Sequence, residues 1–326
     1  MHDISRRRFV AGATATAAVF GLNGPLEFLP SAWAQGKSKD QQNPSGQPFY
    51  RFKIGDIEVT QVFDGETPRP LAPGFVKNAS VDDVKKALQK GGLSGNDIPV
   101  PYTLTFVRSG GVLTMFDAGN APASMPAVGR HLEGMKAAGI APADVKRVVM
   151  THFHPDHIFG LYAKGNEQQY PHAEIVVPAA ELAFWTDTSK TSKLPKRLQG
   201  LANRISGTIG KWKNVRRYDG KGDVAPGLRA VATHGHTPGH TSYHVSSGSA
   251  QFMVLGDVTN VRQLFVPNPG WHVMFDMNAQ AAEATRKRTF DQAVADKIIV
   301  AGYHWGMPGC GTLAKDGNGY VFTPHA

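Results

Sequence analysis

The most constraining feature of this chain is Thr151-His152-Phe153-His154-Pro155-Asp156-His157, which directly follows the apolar run Val145 to Met150. The run reads as a short buried strand. In the extended chain beyond it His152 and His154 are two apart, so both imidazoles point to the same side. Pro155 stops the strand, and Asp156 and His157 enter a turn or helix start that brings two more donors back to the same spot. Imidazole and carboxylate are ligands of a borderline or hard metal, and four of them within six residues suit one or two such ions. A surface cluster of histidines is the competing reading, and the position at the C-terminal end of a strand argues against it. The lone cysteine, Cys310, excludes an intramolecular disulfide and any sulfur-rich cage, so nitrogen and oxygen must hold a metal.

The rest of the chain has the texture of a strand-rich mixed protein. With 41% hydrophobic and 19% charged residues it can bury a core, and 36 Gly with 22 Pro imply many turns rather than a helical bundle. Phe49 to Phe63 alternates around Gly55-Asp56 as a β-hairpin, and Tyr102 to Val107 with Val112 to Phe116 makes a second. A helix is expected over Met125 to Ala138, ending at Gly139. Further expectations are strands at Ile175 to Pro178 and Lys297 to Ala301, a hairpin through Thr241 to Gly256, and an amphipathic helix over Ala279 to Ala295. With no fixed-period repeat and no internal linker, one domain over 49–326 with two sheets and outer helices is the simplest architecture.

The beginning of the chain reads as an address. Ser5-Arg6-Arg7-Arg8-Phe9-Val10 is a basic start, Phe9 to Leu22 an apolar stretch, and Ala32-Trp33-Ala34 an A-x-A cleavage site. Residues 1–34 resemble a twin-arginine export signal, which implies a periplasmic or secreted protein. The apolar stretch is shorter than the roughly 20 residues that span a bilayer, so no anchor is expected. Residues 35–48 are polar and form a flexible lead-in.

The motif at 152–157 resembles that of the metallo-β-lactamase superfamily, and the resemblance continues in order along the chain. Phe116-Asp117-Ala118-Gly119 is similar to the family's strand-end Asp-x-Gly, His234 to Thr241 to its second histidine motif, Leu255-Gly256-Asp257 to its Gly-Asp, and Tyr303-His304 to its last histidine. The resemblance implies an α+β fold, a four-layer αββα sandwich. It implies that His152, His154 and His240 bind one metal, that Asp156, His157 and His304 bind the other, and that Asp257 bridges them, with Asp257 and His304 counted as catalytic. Two divalent ions, zinc by expectation, would share a hydroxide that attacks the substrate, so that no serine or cysteine nucleophile is needed. His234 and His236 are read as ordinary loop histidines, and Cys310 as a buried thiol away from the metals.

Within that family the layout is most similar to the methyl parathion hydrolase-like proteins, whose relatives include lactonases. The expected substrates are neutral, apolar small-molecule esters: lactones, aryl esters or phosphotriesters. Phe184, Trp185, Phe265, Trp271 and Phe275 are candidates for an apolar pocket beside the metals. The alternatives are a β-lactam hydrolase, from whose cysteine-containing type the chain departs at Asp257, and a mononuclear iron persulfide dioxygenase-like oxidoreductase. A nucleic-acid substrate is not expected, and a homodimer is left open. The precursor's +9 net charge equals the nine Lys and Arg of residues 188–217, where no acid occurs. That segment reads either as a solvated face or as a region drawn to anionic surfaces.

Overall fold

The computed structural model describes residues 47–122, 127–163, 167–219 and 222–325. The expected export signal, and all of the lead-in except its last two residues, lie outside the described residues. Residues 49–218 build one seven-stranded sheet in which β1 (Phe49–Ile54), β2 (Ile57–Pro70), β3 (Asp97–Ser109), β4 (Val112–Phe116), β5 (Val145–Val149), β6 (Glu174–Pro178) and β7 (Val215–Tyr218) lie side by side in chain order. The second sheet repeats that order with β8 (Gly222–Ala225), β9 (Leu228–Ala232), β10 (Thr241–Ser247), β11 (Ala250–Gly256), β12 (Ile299–Gly302), β13 (Cys310–Asp316) and β14 (Gly319–Pro324).

Pairing is antiparallel from β1 to β4 and parallel from β4 to β7. In the second sheet only β11 and β12 are parallel. Parallel neighbours need a crossover, and that is where most helices sit. After α1 (Val81–Lys90), which precedes β3, α2 (His131–Ala137) joins β4 to β5, and α3 (Pro155–Ile158) joins β5 to β6. Between β6 and β7 run α4 (Ala179–Thr186), α5 (Thr188–Thr191) and α6 (Lys196–Ile209), and between β11 and β12 run α7 (Arg262–Phe265) and α8 (Ala279–Ala295).

The layers follow from strands that are apolar on both faces. Val107, Phe116, Val149 and Val176 of the first sheet meet Tyr243, Val245, Phe252 and Val254 of the second in one buried cluster between the sheets. Their sequence neighbours point the other way, as a period of two requires. Phe106, Met115, Val148, Ile175 and Val177 cluster with Met135 of α2 and Ile205 of α6, while Met253, Leu255 and Val300 cluster with Phe290 and Ala293 of α8. Helix, sheet, sheet and helix therefore stack in the order the sequence implied.

Two elements differ from expectation. The helix expected from Met125 is shorter, because Gly129 adopts a φ of +75° just before α2 begins at His131. Residues 123–126 lie outside the described residues. Helix α8 has its expected bounds, capped by Asn278, whose side chain accepts from Ala281 N at 3.1 Å. Its buried face mixes the apolar Ala282, Phe290 and Ala293 with the polar Thr285, Arg286 and Thr289. Among the described residues no helix is long and apolar enough to cross a membrane.

Phe252 is fully buried between the sheets, with its ring 5.9 Å from that of Phe52, so Phe252→Ala should destabilise the fold by about 3–5 kcal/mol in urea titration. The same truncation at Val321, which is 49% exposed on β14, should cost less than about 0.5 kcal/mol.

Candidate metal centre

The site lies where strands of both sheets end. Asp117 follows β4 in a left-handed conformation, φ +60°, and is buried. It accepts from Thr151 N at 2.7 Å and Thr151 Oγ1 at 2.8 Å, and its Oδ2 lies 2.8 Å from His157 Nδ1. One carboxylate thus fixes both ends of the histidine motif. Pro155 opens α3, which turns the chain so that Asp156 and His157 face the same space as His152 and His154.

Three imidazole nitrogens meet there. His152 Nε2 is 3.0 Å from His154 Nδ1, which is 2.9 Å from His236 Nε2. A second group is formed by Asp156, His157 and His304, with Asp156 Oδ2 3.5 Å from both His157 Nε2 and His304 Nε2. Asp257 lies between the groups: Oδ2 is 3.0 Å from His304 Nε2 and 3.3 Å from His236 Nε2, and Oδ1 is 3.4 Å from His157 Nε2.

The outer nitrogens are held from behind. His236 Nδ1 lies 2.9 Å from Asp276 Oδ1, His304 Nδ1 2.9 Å from Pro101 O, and His152 Nδ1 3.0 Å from Thr151 Oγ1. Asp276 is in turn paired with buried Arg286, which also donates to the carbonyls of Val258, Pro269 and Trp271. Inner atoms converging while outer atoms are tied to carboxylates or carbonyls is the arrangement that orients metal-binding histidines. His157 Nε2 and Asp257 Oδ1 are buried without a hydrogen-bond partner, and such orphaned acceptors are satisfied by a cation. The 3.0 and 2.9 Å from His154 Nδ1 to the His152 and His236 nitrogens are also near the roughly 3.3 Å that tetrahedral zinc sets between two nitrogens. The residues fit a site for divalent metal.

Charge is divided unevenly. Burial, reinforced by neighbouring imidazoles, holds His152 and His154 neutral, their pKa values well below the usual histidine range. Burial also opposes the charged forms of His157 and His304, but carboxylates outweigh it: Asp156, Asp257 and Asp117 at His157, and chiefly Asp257 at His304, raise both pKa values. Burial works against the Asp257 carboxylate as well, yet His304, His157 and His236 pull it well below the usual range.

Residues 98–302 match the sequence model of the metallo-beta-lactamase superfamily (Lactamase_B). The chain belongs to this superfamily. Solved structures of the same fold include AidC, a dizinc quorum-quenching lactonase in complex with a product, N-hexanoyl-L-homoserine (24% identity, TM-score 0.79, covering 88% of this chain and 99% of that one). A hydrolase of the beta lactamase superfamily, AbOPH, is 25% identical with a TM-score of 0.80, over 86% of this chain and 98% of that one. An N-acyl homoserine lactone hydrolase with N-hexanoyl-L-homoserine bound at its catalytic metal center is 14% identical with a TM-score of 0.54, over 83% and 100%.

The structure brings His152, His154, Asp156, His157, Asp257 and His304 close together, with His236 and without His240. The Nε2 of His240 accepts from Asp257 N at 2.9 Å, and its Nδ1 lies 2.9 Å from Thr233 Oγ1 and 3.1 Å from Thr233 O, so both ring nitrogens are used. Thr233 N donates to His240 O at 3.0 Å, closing the base of a loop whose tip carries His236 into the cluster. His240 belongs to the base and supports Asp257. His236, read from sequence as an ordinary loop residue, takes the expected place. Asp276 and Arg286 had no local motif to reveal them.

The apolar candidates divide similarly. Phe265 is fully buried beneath the Arg286 guanidinium, 5.3 Å from its ring centroid, and belongs to the core. Trp185 is 3% exposed, its Nε1 donating to Glu181 Oε1 at 2.7 Å and its ring 6.0 Å from that of His154. It packs behind the ligand loop and is not an open wall. Phe184, Trp271 and Phe275 remain half-buried; Phe275 precedes Asp276 and meets Phe75 edge-on at 5.9 Å. Met277, also half-buried, donates its N–H to His236 O at 3.0 Å.

Two outcomes follow from this geometry. His236→Ala should lose metal relative to the parent protein, whereas His240→Gln should still bind metal but about 10–100-fold more weakly, as read by elemental analysis and chelator competition. Protons compete with metal at a ligand until pH exceeds its metal-free pKa, which is raised at His157 and His304 and lowered at His152 and His154. As pH falls from neutral, metal uptake by the Asp156, His157 and His304 group should therefore fail first, visible as a partial loss of metal that precedes the rest.

Proposed function

We propose that this protein is a dinuclear metal-dependent hydrolase of neutral, apolar esters, with lactones as the foremost substrate class. The observation that carries the reading is the convergence of His152, His154, His236, Asp156, His157, His304 and Asp257 on one buried space between the two halves of the fold. In this reading His152, His154 and His236 would hold one divalent ion, zinc by preference, and Asp156, His157 and His304 a second, with Asp257 available to either. When bound, such ions polarise a carbonyl and make water acidic enough to act as a nucleophile near neutral pH.

The chain supplies the remaining conditions. Neutral His152 and His154 offer lone pairs without first losing a proton. Asp276, Asp117 and the Pro101 carbonyl fix the tautomers of His236, His157 and His304. Asp156, whose side chain is 17% exposed against 4% for Asp257, is the carboxylate of the cluster more open to solvent and substrate. Phe275, Met277 and Phe184 offer partly exposed apolar surface for an acyl or aryl group. The lactonase named above, with hexanoyl-homoserine as its product, supports the choice of lactones.

We also assign the chain to the periplasm or exterior on the strength of residues 1–34, which fractionation of cells carrying Arg6→Lys/Arg7→Lys tests by retention of the protein inside. The basic 188–217 segment is partly neutralised: Arg216 pairs with Glu174 at 2.8 Å and Lys190 with Asp187 at 3.3 Å. Any attraction to anionic surfaces therefore falls chiefly to the remaining cations.

The deciding experiment is a panel of a lactone, an aryl ester, a phosphotriester and a β-lactam, assayed with metal analysis. Lactone hydrolysis should be strongest, vanish on chelation and return with zinc. Oxygen consumption with a single iron and no hydrolysis would overturn the reading. Phe275→Ala should raise KM for a long-chain lactone about tenfold or more, while a short-chain lactone changes less than threefold.

A further inference from the structure

Glu181, on the first turn of α4, is completely buried and has four donors around it. Oε1 accepts from Phe153 N at 3.0 Å and Trp185 Nε1 at 2.7 Å. Oε2 accepts from Thr237 Oγ1 at 2.8 Å and Gly239 N at 2.9 Å. Three of the four are N–H groups, which only donate and so favour the carboxylate, against the burial that raises its pKa.

The identity of the partners matters more than their number. Phe153 lies between His152 and His154, and Trp185 turns its ring edge towards His154. Thr237 and Gly239 lie just beyond His236, on a loop between β9 and β10 of the other sheet. One oxygen therefore grips the histidine loop of the first half, and the other grips the histidine loop of the second. Gly239 is pressed so closely on α4 that a Cβ there would lie 2.1 Å from Glu181 N. Charge-assisted hydrogen bonds of this kind are the stronger sort, and a closely abutting backbone leaves the loops little room to shift.

We propose that Glu181 is a positioning residue for the metal centre: it fixes the separation of the His152/His154 loop from the His236 loop, and thereby the affinity and geometry of the ion those three histidines hold. This rests on reading the three histidines as ligands of one ion. The four hydrogen bonds of Glu181 run to Trp185 and to the two loops, so its action passes through these neighbours. Glutamine in its place keeps the shape but sets an N–H group against the N–H of Gly239, or against those of Phe153 and Trp185, so at least one loop loses a hydrogen bond.

The test compares parent protein with Glu181→Gln by chelator competition for zinc and by the absorption spectrum of the cobalt-substituted protein. In the variant one ion should bind about 10–100-fold more weakly with the other little changed, the cobalt spectrum should shift, and kcat should fall while KM changes little. Unchanged affinities and an unchanged cobalt spectrum, with only a lower Tm, would reduce Glu181 to a packing group and overturn the proposal. If Glu181→Gln does not fold, Thr237→Val removes a single donor and should weaken the same ion about threefold or more; no change overturns the proposal equally. Failure of the parent protein to bind metal would refute the ligand reading instead, so the two failures are distinct.

Discussion

Everything in the site hangs on the Asp117 carboxylate. It is desolvated and sits in a left-handed backbone conformation that non-glycine residues adopt at some cost, yet it gathers Thr151 and His157 at once. Burial tends to raise its pKa, and the hydrogen bonds from His157 and Thr151 act in the opposite direction. The strand order makes the arrangement feasible: β4 and β5 are parallel neighbours, so their C-terminal ends, and the loops that follow them, emerge side by side.

The centre is also a junction. Four donors come from the first half of the chain, and His236, Asp257 and His304 come from the second. Links between the halves around it are polar and buried: Thr103 N donates to Tyr303 O, Tyr303 Oη to Asp156 O, and Tyr243 Oη to Met150 O. Such groups, out of water, are stable only when paired, so the docking of one sheet on the other is specified more sharply than an apolar interface alone would allow.

Much of this could be read from sequence because the signals are local. A strand ended by closely spaced histidines, a proline at a helix start and two-faced apolar runs each declare themselves within a few residues. What stayed hidden is long-range. Asp276 and Arg286 act on His236 from 40 and 50 residues away, and Glu181 joins loops 28 and 58 residues distant. The choice between His236 and His240 turns on which residue the β9–β10 ladder pins at the loop base, and two histidines in one loop do not announce that. The pocket residues were ambiguous for a related reason: an aromatic side chain reads alike whether it faces solvent, as Phe275 partly does, or lies under an arginine, as Phe265 does.

The uninterrupted strand order of each sheet has a consequence for assembly. Among the described residues the chain leaves the first sheet at β7 and does not return to it, so the whole of that sheet is present before β8 has been synthesised. A nascent first half then carries His152, His154, Asp156 and His157 but lacks the three ligand groups from beyond residue 222. The candidate metal centre is therefore complete only once the chain of the second sheet has been made and has docked on the first.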